Sequence, residues 1–172
     1  MKNSLNENTT PVLEDVINEK LTGDTRKNAL DFVAHLRAGD ESGNFSICYD
    51  TQWGENIWLA KKKGKIVCYI NVFPSHSPDF WMQVLIHGNL GEHAAMPVDE
   101  HIKEFAWANM TSCGDCGAKC GAEKRRRIVF GKEFDRVCSD TLWLNNPDAA
   151  TFDCIKIITD IRKNDIRNAP VR

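Results

Sequence analysis

Four of the seven cysteines lie within 26 residues of each other, at Cys113, Cys116, Cys120 and Cys138, and a glycine follows each of the first three. Zinc is bound in proteins by tetrahedral sets of thiolates, and a Cys-x-x-Cys pair lets one tight turn present two sulfur atoms to the same ion. A glycine after such a turn allows the left-handed backbone that directs N–H groups toward sulfur. The spacing therefore predicts a zinc site with these four ligands, and a closed set of four thiolates predicts a structural role.

The same cysteines leave other chemistry open, because a second Cys-x-x-Cys pair is missing. Cys113 and Cys116 could instead form a redox-active or redox-sensing dithiol, or the thiols could be inert. An iron–sulfur cluster also uses four cysteines, although this spacing matches neither ferredoxin pattern. A metal-dependent hydrolase would need an open zinc position with a general base beside it. Candidate bases close in sequence are His93, His101, Glu104 and Glu123.

Five tryptophans provide a second candidate for function. Trp53, Trp58 and Trp81 lie in or beside predicted strands, where we expect them to line a ligand-binding cleft between sheet and helix. The alternative is that they belong to the core or its rim, because aromatic residues are common in strands and bury large areas. The sequence carries no nucleophile-elbow, phosphate-loop or dinucleotide-binding motif. It therefore favours a binding module for a small molecule or a protein and leaves enzymatic activity undecided.

Composition argues against two classes of partner. The chain has 172 residues, a net charge of −2 and a pI near 6.2, so a general nucleic-acid surface is not expected. Short basic runs at 61–65 and 123–127 could bind phosphate or nucleic acid, but such runs are more typical of solvated turns. No segment approaches the roughly 18 apolar residues of a membrane span, and no signal-peptide pattern is present. The odd number of cysteines favours the reducing cytoplasm.

The elements that would position these residues begin with two helices. Residues 1–11 are polar and aperiodic, and we expect them to form a disordered tail before a single domain at 12–172. Apolar residues recur at helical spacing over 12–21, and a second helix is predicted from position 24 or 25 to the glycine at position 39. Together these helices predict a helical hairpin ahead of the sheet.

The middle of the chain predicts antiparallel strands. A period of two marks a strand at 44–50, and strands at 56–60 and 66–73 flank a lysine-rich turn. A fourth strand is expected at 80–86, and the glycines of 87–91 end it. Short connections between successive strands indicate an antiparallel meander.

The last third of the chain predicts two more helices. Pro97 suits the first turn of a helix that runs to Asn109 and leads into the cysteines. A strand is expected at 142–144, and Asn-Pro-Asp at 146–148 predicts the start of a final helix that ends near Lys163. Its buried stripe is Phe152, Ile155, Ile158 and Ile161. The predicted fold is α+β: an antiparallel sheet of about four to six strands, an N-terminal helical hairpin, a C-terminal helix and a cysteine-rich metal-binding loop.

The C-terminal third carries a resemblance to other proteins in three segments: Cys113-Gly-Asp-Cys116-Gly, Phe-Gly-Lys-Glu-Phe-Asp at 130–135 with Cys138, and Asn-Pro-Asp at 146–148. It resembles a group of small uncharacterised bacterial proteins that share these segments and a closing helix. The order of helices, lysine-rich hairpin and closing helix is also similar to small α+β domains of unknown function of the YdhG and YjbR kind. Both resemblances imply the fold class and neither implies an activity.

Overall fold

Along the described parts of the chain, two helices precede four strands, and a third helix, four more strands and a last helix follow. The computed structural model describes residues 10–38, 43–52, 56–73, 80–93, 97–112 and 126–170. Within these ranges the elements are α1 (Leu13–Lys20), α2 (Gly23–Arg37), β1 (Phe45–Asp50), β2 (Ile57–Lys62), β3 (Lys65–Val72), β4 (Met82–His87), α3 (Glu100–Ala108), β5 (Met110–Ser112), β6 (Arg126–Val129), β7 (Lys132–Asp135), β8 (Val137–Asn145) and α4 (Ala149–Asn168). None of the helices in these ranges is long and apolar enough to cross a membrane.

The main sheet has six strands in the order β1-β2-β3-β4-β8-β5, and each neighbouring pair is antiparallel. The first four strands follow one another as the predicted meander, and the α+β class is confirmed. Strands β6 and β7 form a separate hairpin whose turn contains Phe130 and Gly131, both with positive φ. A parallel bridge between Leu90 and Val129 joins this hairpin to the segment that follows β4.

The core lies on one face of the sheet. Buried residues of α1, α2, α3 and α4 belong to a single cluster with alternate residues of the strands, as expected when amphipathic helices cover one face of a sheet. Phe152 of α4 packs on Phe32 of α2 with ring centroids 5.4 Å apart. All four residues of the predicted α4 stripe are buried, which confirms that part of the prediction.

Three boundaries differ from the prediction. Helix α3 begins at Glu100 rather than at Pro97, because Asp99 is still extended at the N-cap position. Helix α4 continues to Asn168 rather than ending near Lys163, because Asp165 and Ile166 extend its buried side by one turn. Strand β8 is nine residues long, so it can pair with both β4 and β5.

A β-bulge in the pairing of β4 with β8 sets the geometry at the end of β4. Ile86 is opposite Leu142, but His87 is opposite Asp140, so Thr141 is an extra residue in β8. Bulges change the direction in which neighbouring side chains point. Here the bulge brings Asp140 beside His87, while the buried Thr141 hydroxyl donates a hydrogen bond to the carbonyl of Gly88.

Candidate functional site

The chain turns sharply after β4, over residues 87–93, and this turn forms one wall of a cleft. Gly88 has a φ of 84° and Gly91 a φ of 76°, a conformation that L side chains rarely adopt. A Cβ atom on Gly88 would lie 2.8 Å from Nη2 of Arg162. Glycine at position 88 therefore serves both the turn and the close approach of an α4 side chain.

The last turn of α4 holds this segment in place. The carboxylate of Asp165, which is 2% exposed, accepts hydrogen bonds from the backbone N–H of Gly91 at 2.6 Å and of His93 at 2.7 Å. The side-chain amide of Asn168 donates to the carbonyl of His93 at 3.1 Å. A buried carboxylate needs such donors because burial without them is costly. The negative charge of Asp165 is therefore already stabilised by the turn.

Arg162 lies one helical turn before Asp165 and is half-buried. Its guanidinium donates to the main-chain carbonyls of Asn89 at 3.3 Å and Ile66 at 3.4 Å, and its buried Nε has no hydrogen-bond partner. Burial lowers the pKa of Arg162, Asp165 acts in the opposite direction, and Arg127 lowers it again. An arginine nevertheless stays charged at neutral pH. Among the described residues, no carboxylate lies within 4.0 Å of this cation.

A cleft of about 280 Å³ opens between the 87–93 turn, α4 and the start of β3. Its lining residues are Lys65, His87, Gly88, Asn89, Glu92, His93, Arg127, Arg162, Asp165, Ile166 and Ala169. Three of these side chains are permanent cations and two are carboxylates. Both carboxylates already accept hydrogen bonds, since the Asn89 amide donates to Glu92 at 2.5 Å. This cationic cleft therefore offers positive charge and N–H donors to a small anion.

His87 at the cleft wall forms a dyad with Asp140. Its Nδ1 lies 2.9 Å from Oδ1 of Asp140, and its ring meets that of Tyr69 edge-on with centroids 6.3 Å apart. A carboxylate only accepts hydrogen bonds, so Nδ1 carries the proton in neutral His87 and Nε2 carries the lone pair. Burial raises the pKa of Tyr69, and Asp140 and Asp50 raise it further, so the phenol stays neutral beside the dyad.

Only one of the four predicted zinc ligands lies among the described residues. Cys113, Cys116 and Cys120 lie outside the described residues, whereas Cys138 is buried near the start of β8. Ser112, the last described residue before the cysteine stretch, pairs with Val137. Within the described ranges, no group of three or more His, Cys, Asp or Glu side chains is arranged to hold a metal ion.

The three tryptophans predicted to bind a ligand have separate surroundings. Trp53 lies outside the described residues. Trp58 is 2% exposed, meets Tyr49 edge-on, and donates from Nε1 to the carbonyl of Pro11 at 3.3 Å. It also borders a cavity of about 440 Å³ that residues 10–13 and β1 line. Trp81 packs against the core at the start of β4. Their role in ligand binding stays a prediction, and neither Trp58 nor Trp81 lines the cationic cleft.

Most residues of the cationic cleft carry little signal in the sequence. Residues 87–91 are predicted only to end a strand, which gives no role to His87. The histidines are also scattered along the chain. Arg162 and Asp165 are easily taken for solvent-exposed residues at the end of an amphipathic helix. Two signals were available. The basic runs at 61–65 and 123–127 contain Lys65 and Arg127. A pair of glycines also lies between His87 and His93, and glycines in a tight turn allow close approach of other groups.

No family model, no curated protein and no solved structure matches this chain.

Proposed function

We propose that this protein is a small-molecule binding module and that its ligand is a small anion with a phosphate or carboxylate group, bound in the cationic cleft. The observation that carries the proposal is the convergence of Lys65, Arg127 and Arg162 on one cleft whose carboxylates are already hydrogen-bonded. A cleft of about 280 Å³ is on the scale of small-molecule sites in proteins.

Arg162 is the residue on which the affinity should depend most. Its guanidinium is held by two main-chain carbonyls and packs under Gly88, so its orientation is fixed before a ligand arrives. A fixed cation loses little conformational entropy on binding. Planar guanidinium groups also match the oxygen atoms of phosphate and carboxylate.

Replacing Arg162 with glutamine should weaken anion binding strongly. We expect the Kd for inorganic phosphate, measured by isothermal titration calorimetry, to rise about 10- to 100-fold, the range of one or two charge-assisted hydrogen bonds. Arg167→Gln is the matched control, because Arg167 is exposed on the same helix and does not line the cleft. Binding should also weaken with added salt.

Two results would contradict the anion proposal. The first is that the unmodified protein binds neither phosphate nor a small dicarboxylate such as succinate. The second is that Arg162→Gln and Arg167→Gln change the affinity equally, since nonspecific attraction by surface charge would have that effect. Melting temperatures of both variants should be compared with the parent, so that loss of binding is separated from loss of structure.

We also propose that the protein is cytoplasmic and that it holds a structural zinc ion with Cys113, Cys116, Cys120 and Cys138. The proposal derives from the spacing of the cysteines, and the pairing of the described flanks supports it. Ser112 pairs with Val137, next to Cys138, and Arg127 donates from Nε to the carbonyl of Cys138 at 3.5 Å. Ser112, which precedes residues 113–125, and the side chain of Arg127, shortly after them, therefore both lie beside the fourth proposed ligand.

Elemental analysis together with a thiol count tests the zinc proposal. We expect one zinc per chain and expect Cys113→Ser to lower metal content and the melting temperature together, because a structural zinc contributes directly to folding. Two other cysteines calibrate the thiol count. Cys48 is exposed and should react quickly. Burial raises the pKa of Cys68 to about 12, so this thiol should stay unreactive although it binds no metal in the proposal.

Different results would favour the alternatives for the same cysteines. Absence of zinc with rapid alkylation of Cys113 or Cys116 would replace the zinc proposal with a redox-active dithiol. One zinc with only three protected cysteines would indicate an open metal position and a metal-dependent hydrolase. A melting temperature that Cys113→Ser leaves unchanged would contradict a structural role.

A further inference from the structure

We propose that the cationic cleft is an acid–base catalytic site that hydrolyses phosphate diesters, with His87 as the general base and His93 as the general acid. This inference rests on the proposed binding of an anion in the same cleft. It is carried by a further observation, since two histidines line a cleft that also presents three permanent cations. One of these histidines is already oriented by a carboxylate.

His87 has the geometry of a base. Asp140 accepts from Nδ1–H at 2.9 Å and so keeps the lone pair on Nε2. No hydrogen bond to Nε2 is made by the described residues, and His87 lines the cleft. The dyad therefore presents an oriented, basic nitrogen at the wall of an anion-binding cleft, which is the arrangement that general-base catalysis requires.

His93 is held at the opposite end of the 87–93 turn. Its backbone N–H donates to Asp165 and its carbonyl accepts from Asn168, so both of its main-chain polar groups are hydrogen-bonded to side chains of α4. No acidic side chain among the described residues forms an ion pair with its ring. This imidazole can therefore give its proton to a leaving group rather than to a fixed protein partner.

The proposed reaction balances with water as the only co-reactant. His87 Nε2 takes a proton from water as the water oxygen forms a bond to phosphorus. The bond from phosphorus to the leaving oxygen breaks, and protonated His93 supplies a proton to that oxygen. Arg162, Arg127 and Lys65 stabilise the charge on the nonbridging oxygens. The products are one alcohol and one phosphate monoester, and proton exchange with solvent restores both histidines.

The surroundings of the two histidines include groups of both signs. The titratable or charged groups that face the dyad and the cleft are Tyr69 and Lys65 from β3, Asp140 from β8, Arg127 from β6, Glu92 from the turn, and Arg162 and Asp165 from α4. A site that needs one neutral and one protonated histidine predicts a bell-shaped dependence of kcat/KM on pH.

Hydrolysis of two diesters with different leaving groups tests the proposal. We expect turnover of bis(para-nitrophenyl) phosphate and of diphenyl phosphate, and we expect His87→Asn to lower kcat for both by about 100-fold or more. His93→Asn should affect diphenyl phosphate much more, because nitrophenolate leaves without a proton. Asp140→Asn should lower kcat and leave the Kd for inorganic phosphate unchanged, as expected for a positioning residue. Arg167→Gln is the control, because Arg167 is exposed on α4 and does not line the cleft.

Three results would overturn the catalytic proposal. One is the absence of turnover at any pH while phosphate still binds, which would leave the anion-binding function intact. Another is equal loss with both diesters in His93→Asn, which would remove the acid from the mechanism. The third is a failure of phosphate to bind at all, in which case the binding proposal falls as well.

Discussion

The Asp165→Ala variant should unfold with a free energy about 3 kcal/mol lower than that of the parent, because two backbone N–H groups lose a charged acceptor. Both hydrogen bonds, from Gly91 and His93, are short, and the carboxylate is buried. The measurement is chemical denaturation followed by circular dichroism. We expect the same variant to lose phosphate binding, since the 87–93 turn would no longer be held against α4.

Asp153→Ala is the control for this result. Asp153 lies on the same helix with a side chain that is 78% exposed, and its only ion pair in the described structure is a long one to Lys156. Such a surface change should alter the free energy of unfolding by less than about 0.5 kcal/mol. Equal effects of the two substitutions would mean that Asp165 has no special role in holding the turn.

The Phe152→Ala variant should lose about 3–5 kcal/mol of unfolding free energy, the range observed for removal of a buried aromatic side chain. Phe152 is 1% exposed and packs on Phe32, so the substitution leaves a cavity where α2 meets α4. Ile157→Ala is the matched control, because Ile157 is on the same helix and is 44% exposed. A loss below about 1 kcal/mol in Phe152→Ala would show that the helices repack around the cavity.

The α+β class, the meander and the buried stripe of α4 could be predicted because each depends on short-range periodicity. Alternation of apolar residues identifies a strand such as β1, and recurrence every three or four residues identifies the inner face of α4. The lysine-rich turn between β2 and β3 contains Gly64 with positive φ, which is the expected turn chemistry. These signals require only neighbours along the chain.

The cationic cleft could not be predicted because its parts meet only in the folded protein. Asp165 is a charged residue in the last turn of a helix, and only its hydrogen bonds to Gly91 and His93, more than seventy positions away in sequence, explain its burial. The pairing of His87 with Asp140 depends on the bulge at Thr141, and local patterns do not specify a bulge. Burial of an acidic residue is the exception to the usual distribution of side chains.

The hydrogen bonds from Gly91 and His93 to Asp165 also bear on how the protein folds. They join positions 74 and 72 residues apart, and contacts between such distant positions slow folding because a long loop must be closed. At the other end of α4, Asn146 accepts a hydrogen bond from the backbone N–H of Trp81 at 2.8 Å. Asn146, just before α4, and the last turn of α4 thus contact the two ends of β4, and during synthesis the cleft cannot be complete until residue 169 has left the ribosome.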